Sequence, residues 1–285
     1  MDEKESIFVR AQKELLNETL DNILEVIKTS SDDDPNWKEA ILEKFEGILN
    51  KESDDSDSQP ESPLIALRDS LRENSTDTLA SKGSISIREI REDDKRKYAE
   101  IRNQWFRFQL PDEIQAQSED FFWSETQEPY AFYAMISVDG CPVGYIAIKD
   151  TRAAVWEIAE EIEKDQCFNG IGTISTSLFV QAISKATGKK EFRATVEVDN
   201  LPCQRCLEKI KAKLVGLSAG VLLNEAACKK FEKENADRID SHMRNLANKL
   251  GVDASMLLSH VLEYRINADE MECLPPPHTR DFIRG

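Results

Sequence analysis

Residues 154–173 read AVWEIAEEIEKDQCFNGIGT, in which four glutamates, Glu157, Glu160, Glu161 and Glu163, run into a turn holding Gly170 and Gly172. A carboxylate on a strand can take a proton from an amine, directly or through water, or can simply attract a cationic one. Two glycines ahead of a helix let a phosphate approach the unpaired N–H groups at the positive end of the helix dipole. The pair of features points to a pyrophosphate site beside an amine site. The same residues also describe solvated strand glutamates and an ordinary tight turn, and in isolation the stretch does not choose between these readings. It is not a P-loop, since no Gly-Lys-Ser/Thr follows, and it lacks the third glycine of a dinucleotide fingerprint.

The elements that position these residues are legible from periodicity. Val155, Glu157, Ala159 and Glu161 alternate with Trp156, Ile158, Glu160 and Ile162, the period of a strand. Past the glycines, Ile174, Leu178, Phe179, Ala182 and Ile183 recur at helical spacing. Upstream, ISIREIREDD (85–94) reads as a strand with an acidic exit, and YAEIRNQWFRF (98–108) as a helix. AFYAMISVDGCPVGYIAIKD (131–150) reads as two strands around Asp139-Gly140, a favoured hairpin pair. Downstream, EFRATVEVDN (191–200) reads as a strand and NLPCQRCLEKI (200–210) as a helix start.

Taken in order, residues 85–211 resemble the GNAT superfamily of acyl-CoA-dependent N-acetyltransferases. DGCPVGYIAI is similar to that family's second and third strands. Arg102-Asn103 is a pair common in its amino-sugar and protein N-terminal members. Cys167-Phe168-Asn169-Gly170-Ile171-Gly172 stands in its Gln/Arg-x-x-Gly-x-Gly/Ala loop, with both glycines matching. The resemblance implies an α+β fold with a mixed central sheet flanked by helices, in which the fourth and fifth strands of the family splay apart and admit pantetheine as an added strand. It implies acetyl-CoA as co-substrate, held by Ile162, Cys167, Phe168, Asn169, Gly170, Ile171, Gly172, Thr173 and Asn200, and direct acetyl transfer to a primary amine in a ternary complex. Glu157 lies about where the histone-acetyltransferase branch keeps its catalytic Glu, and is the first candidate for the base. Two departures bear on chemistry: Cys167 replaces Gln or Arg, leaving the phosphate to backbone amides, and Leu207 replaces the Tyr that protonates the leaving thiolate. The Gly-Phe expected after Ile210 is also absent.

Four regions follow from composition: an acidic amphipathic helical hairpin (1–50), an acidic linker with a short helix (51–84), the acetyltransferase-like domain (85–220) and a helical C-terminal extension with a disordered tail (221–285). The first 84 residues hold 21 Asp/Glu against 10 Lys/Arg, most of the net charge of −17. Their stripes (Leu16, Leu20, Ile23, Leu24, Ile27; Trp37, Ile41, Phe45, Ile48, Leu49) suit burial within a hairpin, docking on the domain, or a partner or second copy of the chain. The negative charge opposes nucleic-acid binding and favours an amine-bearing small molecule or protein. No run approaches the ~20 apolar residues of a membrane span, and MDEKESIFVR carries no apolar signal core, so a cytoplasmic setting is expected.

Within the C-terminal region, LANKLGVDASMLLSHVLEYRI (246–266) has helix-turn-helix-like spacing, the weaker alternative of a regulator, but its reading helix would offer Arg265 as its one Lys or Arg. A second reading makes HVLEYRI (260–266) a late strand that closes the sheet. That strand would carry Tyr264 toward the site as a replacement acid. Cys203-Gln-Arg-Cys206 has no second ligand pair among His242, His260 and His278, so no metal is expected, although a redox pair at a helix start is open. A catalytically silent version of the fold, used as a scaffold, is the alternative that Cys167 and Leu207 favour.

Overall fold

The computed structural model describes residues 64, 67–68, 78–105, 118–219 and 225–271. The expected N-terminal hairpin, most of the acidic linker and the tail after 271 lie outside them. Among the described residues, eight strands form one sheet in the order β1-β2-β3-β4-β5-β6-β8-β7. They are β1 (Thr78–Lys82), β2 (Ile85–Glu89), β3 (Phe132–Val138), β4 (Cys141–Ile148), β5 (Trp156–Ile162), β6 (Glu191–Val196), β7 (Lys213–Ala219) and β8 (His260–Asn267). Among the described residues, the α-helices with defined bounds are α1 (Lys95–Trp105), α2 (Ser118–Thr126), α3 (Ile171–Thr187), α4 (Leu201–Lys209), α5 (Glu225–Glu234) and α6 (Ser241–Leu250). The architecture is α+β, with helices on both faces of a mixed sheet.

Alternation along β3 explains the layering. Phe132, Ala134 and Ile136 join the core under α3, while Tyr133 and Met135 join a second core with Tyr98, Ile101, Phe122 and Trp123 of α1 and α2. With both faces covered, β3 is buried along nearly its whole length. Phe132 stacks on Phe179 of α3 at 6.1 Å between ring centroids. Side chains buried to this degree each contribute about 1.5–3 kcal/mol.

β4 and β5 approach closely at Gly144. A Cβ there would sit 2.6 Å from the Glu161 carbonyl oxygen and 2.7 Å from Ile162 Cδ1. Because the first of these is backbone, the strands must move apart to admit it. Gly144→Ala is therefore expected to destabilise the chain by about 1–3 kcal/mol, seen as a lower urea midpoint with an unchanged slope.

Two stretches differ from their compositional reading. Thr78–Lys82, at the end of the expected linker, is an edge strand paired with β2, and Leu64 and Leu67 are buried in the core. TLASK has no aromatic residue and little alternation, so its strand state comes from pairing with β2 and not from its own pattern. In the C-terminal region the strand reading of 260–266 holds: β8 lies between β6 and β7, antiparallel to both. The second helix of a helix-turn-helix is therefore missing. α6 ends at Gly251, and a short 3-10 turn, Ala254–Leu258, leads into β8.

The sheet changes character between β5 and β6. These two are its parallel pair, and their register holds at only two rungs, Trp156↔Phe192 and Glu157↔Arg193. Beyond them β5 continues to Ile162 and β6 to Val196 without pairing to each other. This is the splay that the acetyltransferase resemblance implies.

Candidate active site

The turn that follows β5 is built as its glycines suggest. Gly170 is the N-cap of α3 at φ +78°, a left-handed conformation that suits glycine, and no side chain caps the helix. The first-turn amides of Ile171, Gly172 and Thr173 are thus left without a side-chain cap. Phe168 also has positive φ, +68°, and is 86% exposed, while Asn169 Nδ2 donates to the Gln166 carbonyl at 3.4 Å. Cys167 is half-buried, its Sγ 3.3 Å from the Glu163 carbonyl oxygen. Asn200 has a different local task, since its Oδ1 caps α4 by accepting from the Cys203 N–H at 3.2 Å.

The four glutamates divide by face and none is left as a free solvated carboxylate. Glu157 sits at the last paired rung, where Arg193 Nη2 reaches Oε2 at 2.8 Å and Thr195 Oγ1 donates to Oε1 at 2.7 Å. It clamps the vertex of the splay. Glu163 pairs with Lys97 of α1. Glu161 faces the second core, where Arg102 Nη1 donates to Oε1 at 2.7 Å while Arg102 Nη2 reaches Glu125 Oε1 at 3.3 Å. Burial pushes the Glu161 carboxyl up and Arg102 opposes the shift. Tyr98 completes this network, donating to Glu125 Oε2 at 3.4 Å and meeting Tyr145 edge-on at 4.9 Å.

Glu160 faces the opposite way, under the first turns of α3. Its carboxyl is hydrogen-bonded to Ser175, and Oε2 is 2.7 Å from where a Cβ on Gly172 would stand. Burial pushes this carboxyl up to about 8 against the pull of Ser175 and Thr176. Proton accounting agrees with a neutral acid. Ser175 has one hydroxyl proton and also lies 2.8 Å from the Ile171 carbonyl oxygen, so a protonated Glu160 satisfies both contacts by donating to Ser175 Oγ.

α4 packs against α3. Leu207, in the position of the missing Tyr, is buried in the core. Cys203 and Cys206 lie near Glu160, and burial pushes the Cys203 thiol up to about 12 and raises that of Cys206. A redox pair needs the opposite, a stabilised thiolate. Tyr264, opposite Ala194 on β6 and Leu214 on β7, is 2% exposed. Burial pushes its phenol up to about 12, with Glu208 and Cys203 adding to the shift. It therefore holds its proton at neutral pH. His242 and His260 line a cavity of about 180 Å³ with Asp199 and Asp240. Among the described residues no group of three such side chains could hold a metal.

Sequence reasoning missed Trp105 at the end of α1. Its indole Nε1–H donates to the Ile162 carbonyl at 2.7 Å. A tryptophan at a helix end was the only local signal, and nothing in the sequence shows which backbone it meets.

No protein-family model matches the chain, and no curated protein matches it. Among solved structures it is similar to Mycobacterium smegmatis RimJ in complex with CoA-disulfide, at 17% identity over 65% of this chain and 83% of that one, with a TM-score of 0.46. It is also similar to the ribosomal L7/L12 alpha-N-protein acetyltransferase RimL in complex with coenzyme A, at 12% identity over 68% and 99%, TM-score 0.47. A third is the microcin C7 self-immunity acetyltransferase MccE in complex with acetyl-CoA and AMP, at 13% identity over 65% and 93%, TM-score 0.44.

Proposed function

We propose that the chain is an acyl-CoA-dependent N-acetyltransferase that moves an acetyl group from acetyl-CoA to a primary amine on a small molecule or a protein. One observation carries the reading: β5 and β6 pair at two rungs and then part, beside the uncapped, glycine-led N-terminus of α3. The parted edge offers backbone groups to a pantetheine arm, as an added strand would use them, and the α3 amides of Ile171, Gly172 and Thr173 suit a pyrophosphate. In the family that the sequence resembles, acetyl-CoA uses both features.

The transfer needs a neutral amine, a polarised thioester carbonyl and a protonated leaving sulfur. The amine nitrogen bonds to the carbonyl carbon, the C–S bond breaks, nitrogen gives up one proton to a base and the departing thiolate gains one. Glu157 is the proposed base at the vertex of the splay, held there by Arg193 and Thr195. An N–H on the parted edge of β5 suits the thioester oxygen. Tyr264 is the proposed donor to the sulfur. A phenol at about 12 is a poor acid for full transfer to a thiolate, so its O–H serves as a hydrogen bond while the proton comes from solvent. The described cysteines are all free thiols, which suits the reducing cytoplasm. Among the described residues no helix is long and apolar enough to cross a membrane.

A second reading, a silent fold serving as a scaffold, is favoured by the buried Leu207 and by Glu157 being engaged by Arg193 and Thr195. Calorimetry and turnover separate the two. Acetyl-CoA is expected to bind at micromolar concentration, and its thiol is expected to appear with at least one member of an amine panel. Glu157→Gln should slow that release about 10²-fold or more. Release at the parental rate would remove Glu157 from the base role, and no acetyl-CoA binding at high micromolar concentration would end the enzyme reading.

A further inference from the structure

The parted edge of β5 has one backbone acceptor already in use. No peptide bond among the described residues is cis, so the carbonyl of Ile162 and the N–H of Glu163 point in opposite directions. The Glu163 N–H donates to the Val143 carbonyl on β4 at 2.8 Å. The Ile162 carbonyl therefore points away from β4, to the side from which β6 has parted. There it meets the Trp105 indole N–H at 2.7 Å, with the Cys167 thiol a more distant second donor at 3.8 Å. The end of α1 is fastened around this contact: Gln104 Oε1 accepts from the Lys164 N–H at 3.0 Å, and Lys164 Nζ lies 5.3 Å from the Trp105 ring centroid. The indole is nonetheless 37% exposed.

Resting on the acyl-CoA reading, we infer that Trp105 is a gate on the cofactor cleft: its indole N–H occupies the Ile162 carbonyl, a backbone acceptor that a pantetheine amide would use, and it swings aside when the arm enters. A carbonyl has two lone pairs, so the competition is steric as well as electronic. An added strand stands about 4.8 Å from its neighbour, and an indole hydrogen-bonded at 2.7 Å fills that space. The gate costs affinity for any ligand with an amide-bearing arm and costs nothing for a ligand held only at the helix N-terminus.

Trp105→Phe keeps an aromatic ring and removes the donor. Calorimetry on the full chain compares acetyl-CoA with 3′,5′-ADP, which lacks the pantetheine arm. The variant is expected to bind acetyl-CoA about three- to tenfold more tightly, the range of one net hydrogen bond, with the 3′,5′-ADP affinity unchanged. An acetyl-CoA affinity that is unchanged or weaker, against a steady 3′,5′-ADP affinity, overturns the gate and leaves the acyl-CoA reading standing. Parallel changes for both ligands also overturn it, because the effect then lies outside the arm. If the parent binds neither ligand, the acyl-CoA reading itself has failed.

Discussion

Glu160→Gln is expected to flatten the pH dependence of stability. The Glu160 carboxyl holds its proton to about 8 in the folded chain, against an ordinary value of 4.5. Between those values the folded state binds a proton that the unfolded state has released, so unfolding becomes easier as pH rises. The contribution is complete below about 4.5, is lost through the window, and changes no further above about 8. At roughly 1.4 kcal/mol per unit, the parent should lose about 3–5 kcal/mol relative to the glutamine variant between pH 5 and pH 8. Glutamine can donate to Ser175 as the neutral acid does and has no charge to bury. Urea unfolding at several pH values reads this directly, and parallel stability curves for the two chains would show that the carboxyl is not buried neutral. The ionised form would also stand under the first turn of α3, so acetyl-CoA binding should weaken above pH 8.

Arg102→Leu has the second large effect. Arg102 is the cation that joins Glu161 of β5 to Glu125 of α2, and it packs over the Phe122 ring at 5.3 Å. Its removal leaves a buried carboxyl without its partner, a change that costs about 3–5 kcal/mol. The leucine recovers part of the packing and none of the charge. Glu161 is already pushed up by burial with the arginine in place, and without it the carboxyl will take up a proton more readily. The loss should therefore be largest at pH 7–8 and smaller at pH 5. A loss below about 1 kcal/mol at pH 7 would mean that water reaches the network and screens it.

Legibility followed the range of the interaction. The alternation of β5, the helical spacing of α3, the Asp139-Gly140 hairpin and the glycine-led helix start are local, and each appears where its residues placed it. β1 was hidden because five residues without an aromatic side chain become a strand only through β2. β8 was visible as one of two readings, since HVLEYRI alternates but follows a helical excursion that obscures its partner. Within the site, strand parity correctly puts Glu160 on the face opposite Glu157 and Glu161. It does not reveal their partners, because Arg102 lies 59 residues from Glu161 and Ser175 is reached only after the turn. The splay was expected from resemblance alone. No single-strand pattern encodes where two strands stop pairing.

The two-rung contact between β5 and β6 also bears on the order in which the chain can assemble during synthesis. β6 has almost nothing to hold on its β5 side, and its other neighbour is β8, which is made only after β7, α5 and α6. From the time residue 196 leaves the ribosome until residue 267 follows it, both edges of β6 are nearly bare. The β1–β5 half can form early from hairpins close in sequence, whereas the half that carries Tyr264 waits for distant pairing, which is the slower kind. Until β8 arrives, the nascent chain presents an open strand edge, the feature most prone to pairing with another chain.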